Sequence, residues 1–379
     1  MDDSNPKRRK IPGDSAPTTA DTVDAPSAGP GNGKPRPSSE VLPWPDYYMG
    51  VALLTAQRSK DPATQVGACV VNDDGRIIAI GYNGMPCDIS DEVANWASPP
   101  EDDTTVAGQE AAKEGMICHA ALNAIVQKRS VSVNHCTLYT TLFPCNECAK
   151  TIIQAGIKKV VYREARPEKE YHKYSRELFE DTKVTLEKYV PHRAGISLAL
   201  KHDQSPRLVP SSTNFVVAIA PDSGAPSALN RARPIDQYLS YDEYFMGLAL
   251  LTAQRSKDPK TQVGACVVDR NNRIIGLGYN GMPIGIDDEK TNWGKTPYGD
   301  ESVGARLASK HSRCQKLILQ SGITEVVYLA MPVDKKKGTP EPIKPSCLLL
   351  KSVGEDGKLT TRLRQFEYRD EKEQIVLTF

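Results

Sequence analysis

Three residues in this chain have the types and the spacing of metal ligands: His119, then Cys145 and Cys148, which bracket Asn146-Glu147 directly after Pro144. Imidazole nitrogen and thiolate sulfur are donors that zinc prefers. Three of them leave the fourth tetrahedral position open to a water, which separates a catalytic zinc site from a structural one closed by four ligands. Zinc lowers the pKa of such a water to about 7, so the chemistry on offer is hydrolysis at neutral pH. Expelling a leaving group also needs a proton carrier, and the nearby residues do not supply one. Ala121 and Asn123 follow His119, and Glu147 lies between the cysteines. Asparagine has no useful proton to give, and Glu147 is expected to face solvent or cap its helix.

The elements that must position these ligands are legible from periodicity. Met49, Leu53 and Ala56, with Ala52 and Leu54 alongside, recur at helical spacing until Asp61-Pro62. Residues 65–72 and 76–82 are β-branched runs joined by Asp73-Asp74-Gly75, a hairpin signature, and Gly81-Tyr-Asn-Gly-Met-Pro86 ends the second. Residues 87–117 are polar and irregular, a longer loop than a compact domain carries without a functional reason. A helix over 118–129, a strand over 135–141, a helix over 146–155, a strand over 157–163 and a further helix and strand near 173–189 follow. This alternation predicts an α/β fold, a three-layer α/β/α sandwich on a mixed sheet. The ligands then stand at the N-termini of two neighbouring helices, where backbone dipoles favour thiolate.

The chain repeats itself. Leu53–Pro62 recurs as Leu250–Pro259, Thr64–Val71 as Thr261–Val268 and Gly81–Pro86 as Gly278–Pro283, all at an offset of 197. Near-identity at one offset means tandem duplication. Trp96 still matches Trp293 at 197, but Cys148 matches Cys314 at 166, so the second copy is shorter by 31 residues, covering the counterpart of the His119 helix and the next strand. His311 and Cys314 fall where Cys145 and Cys148 stand, without a third ligand, and are expected to be a solvated His and an ordinary helix Cys. The resulting division is a disordered tail over 1–42, a first domain over 43–190, a Pro/Ser/Gly-rich linker over 191–236 and a degenerate second domain over 237–379. Within the tail, Lys7-Arg8-Arg9-Lys10 is a compact basic cluster of the kind importins read.

Arg58-Ser-Lys-Asp-Pro62, Gln65-Val-Gly-Ala68, Gly81–Pro86, the His119 segment and Pro144-Cys-Asn-Glu-Cys148 together resemble deoxycytidylate (dCMP) deaminases of the zinc-dependent cytidine deaminase superfamily, over residues 45–190. The second copy carries only the first three of these motifs. The resemblance implies Zn²⁺ on His119, Cys145 and Cys148, hydrolytic deamination of dCMP to dUMP, homo-oligomers, and response to dCTP and dTTP. It also implies that Arg58, Ser59, Lys60, Asp61, Gln65 and Asn83 lie near a deoxycytidine nucleotide or effector. The family signature H-x-E…P-C-x-x-C carries a Glu that moves the protons, and here that position holds Ala121. A positioned acid/base group contributes on the order of 10² to 10⁴ in rate, so the chain as it stands is expected to be inactive.

Three functions compete on this evidence. One is a dCMP deaminase with its shuttle removed, another a pseudoenzyme that keeps zinc and nucleotide and regulates a partner deaminase, and the third a polynucleotide cytosine deaminase. The third is opposed by the mononucleotide-type motifs and by the lack of a basic stripe with interleaved aromatics. Composition narrows the setting. Forty-eight Lys and Arg against 47 Asp and Glu give a net charge of +1, with no global pull toward nucleic acid or membrane. Nine cysteines without a disulfide framework fit a reducing compartment. No apolar run approaches the roughly 18 residues of a membrane span, and the N-terminus lacks an apolar signal core. A cytoplasmic or nuclear location is expected.

Overall fold

A computed structural model describes residues 34–87, 89–90, 96, 116–128, 132–167, 170–199, 232–259, 261–282, 323, 325–328, 362–366 and 374–378. The Lys7–Lys10 cluster, His311 and Cys314 lie outside the described residues.

The first copy is built on a five-stranded sheet in the order β2-β1-β3-β4-β5. Its elements are α1 (Trp44–Ala56), β1 (Gly67–Val71), β2 (Ile77–Tyr82), α2 (Ala120–Val126), β3 (Thr137–Leu142), α3 (Asn146–Gln154), β4 (Lys159–Glu164), α4 (Glu170–Asp181) and β5 (Thr185–Lys188). β1 runs antiparallel to β2 and β3, and β3, β4 and β5 are parallel. Pro45 sits in the first turn of α1, where a missing N–H costs nothing. The helix ends at Ala56, ahead of Pro62.

Every residue of β1 is buried, and the period-2 alternation of a strand divides them between two cores. Cys69 and Val71 pack with α1 residues such as Met49, Val51 and Leu54. Ala68 and Val70 pack on the other face with Ala124, Ile152 and Phe179 from α2, α3 and α4. Helices therefore cover both faces, which is the three-layer arrangement expected from the sequence. Gly67 is required by that packing, since a Cβ there would lie 1.9 Å from the Ala52 carbonyl oxygen of α1.

The second copy repeats the opening unit as α5 (Tyr241–Ala253), β7 (Gly264–Val268) and β8 (Ile274–Tyr279). Its hairpin carries an irregularity at Val267/Val268, the counterpart of the one at Val70/Val71. β9 (Glu325–Tyr328) stands 166 residues after β4 and pairs in parallel with β10 (Arg362–Gln365), as β4 does with β5. Among the described residues β7 pairs with β8 alone, whereas β1 pairs with both β2 and β3. This is the pattern left when the segment corresponding to α2 and β3 is missing.

Two boundaries read from the sequence need correction. The tail expected over 1–42 ends earlier, because Val41 and Leu42 are buried and the Arg36 N–H donates to the Lys257 carbonyl. The stretch expected to be a linker over 191–236 holds β6 (Gly195–Ala199), paired antiparallel with the distant β11 (Gln374–Thr378). Residues at its other end also pack on the first copy, with Arg233 N–H donating to the Lys60 carbonyl. Leu198, Ile375 and Leu377 join the α1 core, so one hydrophobic core runs through both copies. No described helix is long and apolar enough to cross a membrane.

Candidate metal centre

The site lies where chain leaves β2 and β3 and enters two helices. His119 is the residue before α2, and Cys145 the residue before α3. Cys148 follows in the first turn of α3 and is buried. This is the carboxyl end of the parallel strands, the usual ligand edge of an α/β sheet.

His119 Nδ1 lies 3.2 Å from Cys145 Sγ and 3.3 Å from Cys148 Sγ, and the three ligand atoms fall within 4.8 Å of one another. Zn–S bonds of about 2.3 Å and Zn–N bonds of about 2.1 Å in a tetrahedron require N···S edges of about 3.6 Å. The two N···S edges thus need only a few tenths of an ångström of expansion to hold the ion. Its protonation is also favourable: the Cys145 thiol is pushed down to about 4, chiefly by the hydrogen bond from the Cys148 thiol, with His119 adding to it against burial. Cys148 is pushed up because it keeps the shared proton. A thiolate and an imidazole in contact, beside a thiol whose proton zinc can displace, make a donor set suited to the metal. The residues fit zinc.

Two backbone bonds fix the segment entering α2. Gly84 N–H donates to the Cys118 carbonyl at 3.1 Å and Cys118 N–H donates back at 2.9 Å. Asn123 Nδ2 donates to the Tyr82 carbonyl at 2.7 Å. The Gly81–Pro86 loop is therefore stapled beside His119. Asn123, which has no useful proton to give, thus has a structural role, and its helical spacing from His119 is the sequence signal for it.

Ala121 is buried at the start of α2. Among the described residues, no aspartate or glutamate joins the His119, Cys145 and Cys148 group. Glu147 is exposed and pairs with Lys150 at 2.6 Å, as expected for a side chain between the cysteines.

The six residues assigned to nucleotide or effector divide into three groups. Asn83 reaches the ligand segment, being next to Gly84. Its side chain, however, is bonded to its surroundings: Oδ1 accepts from Val66 N–H at 2.7 Å, while Nδ2 donates to Asp61 Oδ2 and to the Thr64 carbonyl. Ser59, Asp61 and Gln65 belong to the same turn, with Ser59 Oγ donating to the Asn83 carbonyl and Gln65 Nε2 to the Asp61 carbonyl. Arg58 and Lys60 face the second copy: Arg58 Nη1 donates to the Leu239 carbonyl, and Lys60 Nζ lies 5.4 Å from the Tyr238 ring centre. Sequence reasoning passed over Arg163 and Arg166, which with Glu164, Thr64, Gln65 and Gln57 line an open cleft of about 150 Å³. Their signal was a pair of cations just where β4 ends.

Residues 42–164 and again 239–330 match the cytidine and deoxycytidylate deaminase zinc-binding region. The chain belongs to the cytidine and deoxycytidylate deaminase family. Both matched regions begin at the offset of the internal repeat, in keeping with duplication. Human deoxycytidylate deaminase is 47% identical over 157 residues, covering 40% of this chain and 83% of that protein. A probable deoxycytidylate deaminase of Drosophila melanogaster is 42% identical over 160 residues, covering 42% of this chain and 78% of the other. Among solved structures, the dCMP deaminase of cyanophage S-TIM5 in complex with dCMP and dUMP is 32% identical, with 38% of this chain and 93% of that one covered and a TM-score of 0.30. In this deaminase family member, then, a His/Cys/Cys cluster suited to zinc stands in the first copy.

Proposed function

We propose that this deaminase family member holds one zinc in its first copy and binds deoxycytidine nucleotides there without converting them. The observation that carries the reading is Ala121, a buried methyl where the family signature has its carboxylate. Zinc, when bound, supplies a Lewis acid and an activated water. Deaminating a cytosine also requires a proton at the ring nitrogen and another at the departing amine, and one carboxylate normally carries both. Glu147 is occupied by Lys150 at the surface, and Asn123 Nδ2 is committed to backbone carbonyls. What remains to the chain's own residues is to fix the metal ligands and to shape the pocket through the Asn83 loop stapled to Cys118.

The likeness to deoxycytidylate deaminases supports a cytosine mononucleotide as ligand, and Arg166, in the cleft where Arg163 is paired with Glu164 at 2.6 Å, offers charge for a phosphate. A chain that binds without turnover suits the regulation of a partner deaminase, with dCTP or dTTP as further candidate ligands. The test is a paired measurement on purified protein: dUMP formation from dCMP, and dCMP binding by calorimetry. Binding without product supports the proposal, and product formed by the unmodified chain refutes it.

A further inference from the structure

Contacts between the two copies come in reciprocal pairs related by the repeat offset of 197. Tyr47 OH lies 3.1 Å from Thr252 Oγ1, and Tyr244 OH lies 2.9 Å from Thr55 Oγ1. Tyr244 is the counterpart of Tyr47, and Thr252 of Thr55. Arg58 Nη1 donates to the Leu239 carbonyl, while its counterpart Arg255 donates to the carbonyl of Leu42, the counterpart of Leu239. The guanidinium carbon of Arg58 sits 3.9 Å from the Tyr241 ring centre, and that of Arg255 sits 3.7 Å from the ring of Trp44 at the matching position. The backbone obeys the same rule, with Leu42 N–H donating to Gln254 and Leu239 N–H to Gln57.

A contact set in which residue i meets j and the counterpart of j meets the counterpart of i is the mark of an isologous, twofold interface. Such an interface ordinarily joins two identical chains. Here both halves lie on one chain, and the antiparallel pairing of β6 with β11 adds a further twofold-like contact. The second copy also keeps its burial selectively. Tyr244, Leu248, Leu251 and Thr252 on α5 are fully buried, whereas Ile275 and Tyr279 on its hairpin are exposed.

We infer that the outer face of α1 is a self-recognition surface whose partner is a second copy of the same segment, and that the tandem chain fills it internally as a closed pseudo-dimer. The second copy is thereby a built-in subunit, retained in the half that faces the first. Association of whole chains, if any, must use other surfaces. The inference stands independently of the metal and nucleotide reading above.

The test keeps the whole chain. A specific protease site is inserted at position 212, in the Pro/Ser-rich stretch between the copies, and the protein is cleaved after folding. The two halves should stay together at micromolar concentration as one particle with the mass of a single chain; halves that separate overturn the inference. Two intact chains with different tags should form no mixed species that depends on this face. A mixed species lost on combining Tyr47→Phe with Tyr244→Phe would show the face open to other chains and overturn internal closure. Arg58→Ala and Arg255→Ala should each raise the dissociation constant of the cleaved halves by about tenfold, as expected for interface arginines that bond the partner backbone and stack on its rings. The hydroxyl deletions Tyr47→Phe and Tyr244→Phe, which keep the rings in place, should give smaller but matched increases. If all four variants leave the halves as tightly joined as before, this face is not what holds them.

Discussion

Gly81 and Gly278 occupy equivalent places in the two copies, yet among the described residues only Gly81 has a helix against it. A Cβ on Gly81 would lie 2.3 Å from Ala124 N and 2.6 Å from the Ala120 carbonyl oxygen, while a Cβ on Gly278 meets nothing within 4 Å among the described residues. Gly67 and Gly264, by contrast, are equally crowded, at 1.9 Å and 1.8 Å from Ala52 O and Ala249 O. Among the described residues, the duplicated unit therefore keeps one helix packed on its hairpin and shows no second one.

Alanine substitutions should report this difference. Gly81→Ala must push α2 off the sheet, at a cost of about 1 to 3 kcal/mol or more, and should lower the first copy's melting temperature. Gly278→Ala should stay within about 0.5 kcal/mol of the parent, while Gly264→Ala destabilises as Gly67→Ala does. Equal losses at Gly81 and Gly278 in thermal melts would mean that a helix covers β8 after all.

Metal content should be one zinc per chain by elemental analysis. Cys145→Ala should abolish it and lower the thermal stability of the first copy, because ligand binding and folding are coupled. Two zinc ions per chain would place a second site in the other copy. An unchanged melting temperature in Cys145→Ala would mean that the first site holds no metal.

Ala121→Glu should raise dUMP formation from dCMP by on the order of 10² or more over the parent chain, as expected for a positioned acid/base group. Zinc content should remain at the parent level. A variant that keeps zinc and nucleotide but stays inert would locate further damage in the pocket, beyond the missing carboxylate.

Asp61 and Asp258 hold equivalent turns at different depths. Asp61 Oδ1 accepts from Ala63 N–H and Thr64 N–H, and its Oδ2 accepts from Asn83, all around a buried side chain. Asp258 makes the matching bonds to Thr261 and Asn280 in a half-buried setting, where water can replace them. Asp61→Ala should cost about 1 to 3 kcal/mol and Asp258→Ala clearly less, as measured by denaturant unfolding.

The ligand cluster and the α/β alternation were legible because both rest on local signals: donor types at fixed spacing, and apolar periods of 3.6 and 2. Asp61 and Asn83 were harder, since a turn that clamps itself and a turn that clamps a nucleotide use the same residues. The surroundings of Arg58 were not legible, for its neighbours Leu239 and Tyr241 come from the other copy. The repeat itself extends back to Arg36 and Arg233, which make the same bonds across the interface, but divergent residues between them and Leu53 and Leu250 hid the match. β6 gave no signal either, as its partner β11 stands at the far end of the sequence.

That last pairing sets an order of events during synthesis. β6 leaves the ribosome with no strand to bond, and β11 follows some 175 residues later (199 to 374). At about 5 to 20 residues per second, the edge stays open for roughly 10 to 35 s while the second copy is still being made. Completion of the shared core is thus timed by translation of the distal end, and a ribosome stalled there would leave a nascent first copy with a bare strand exposed to chaperones and to neighbouring nascent chains.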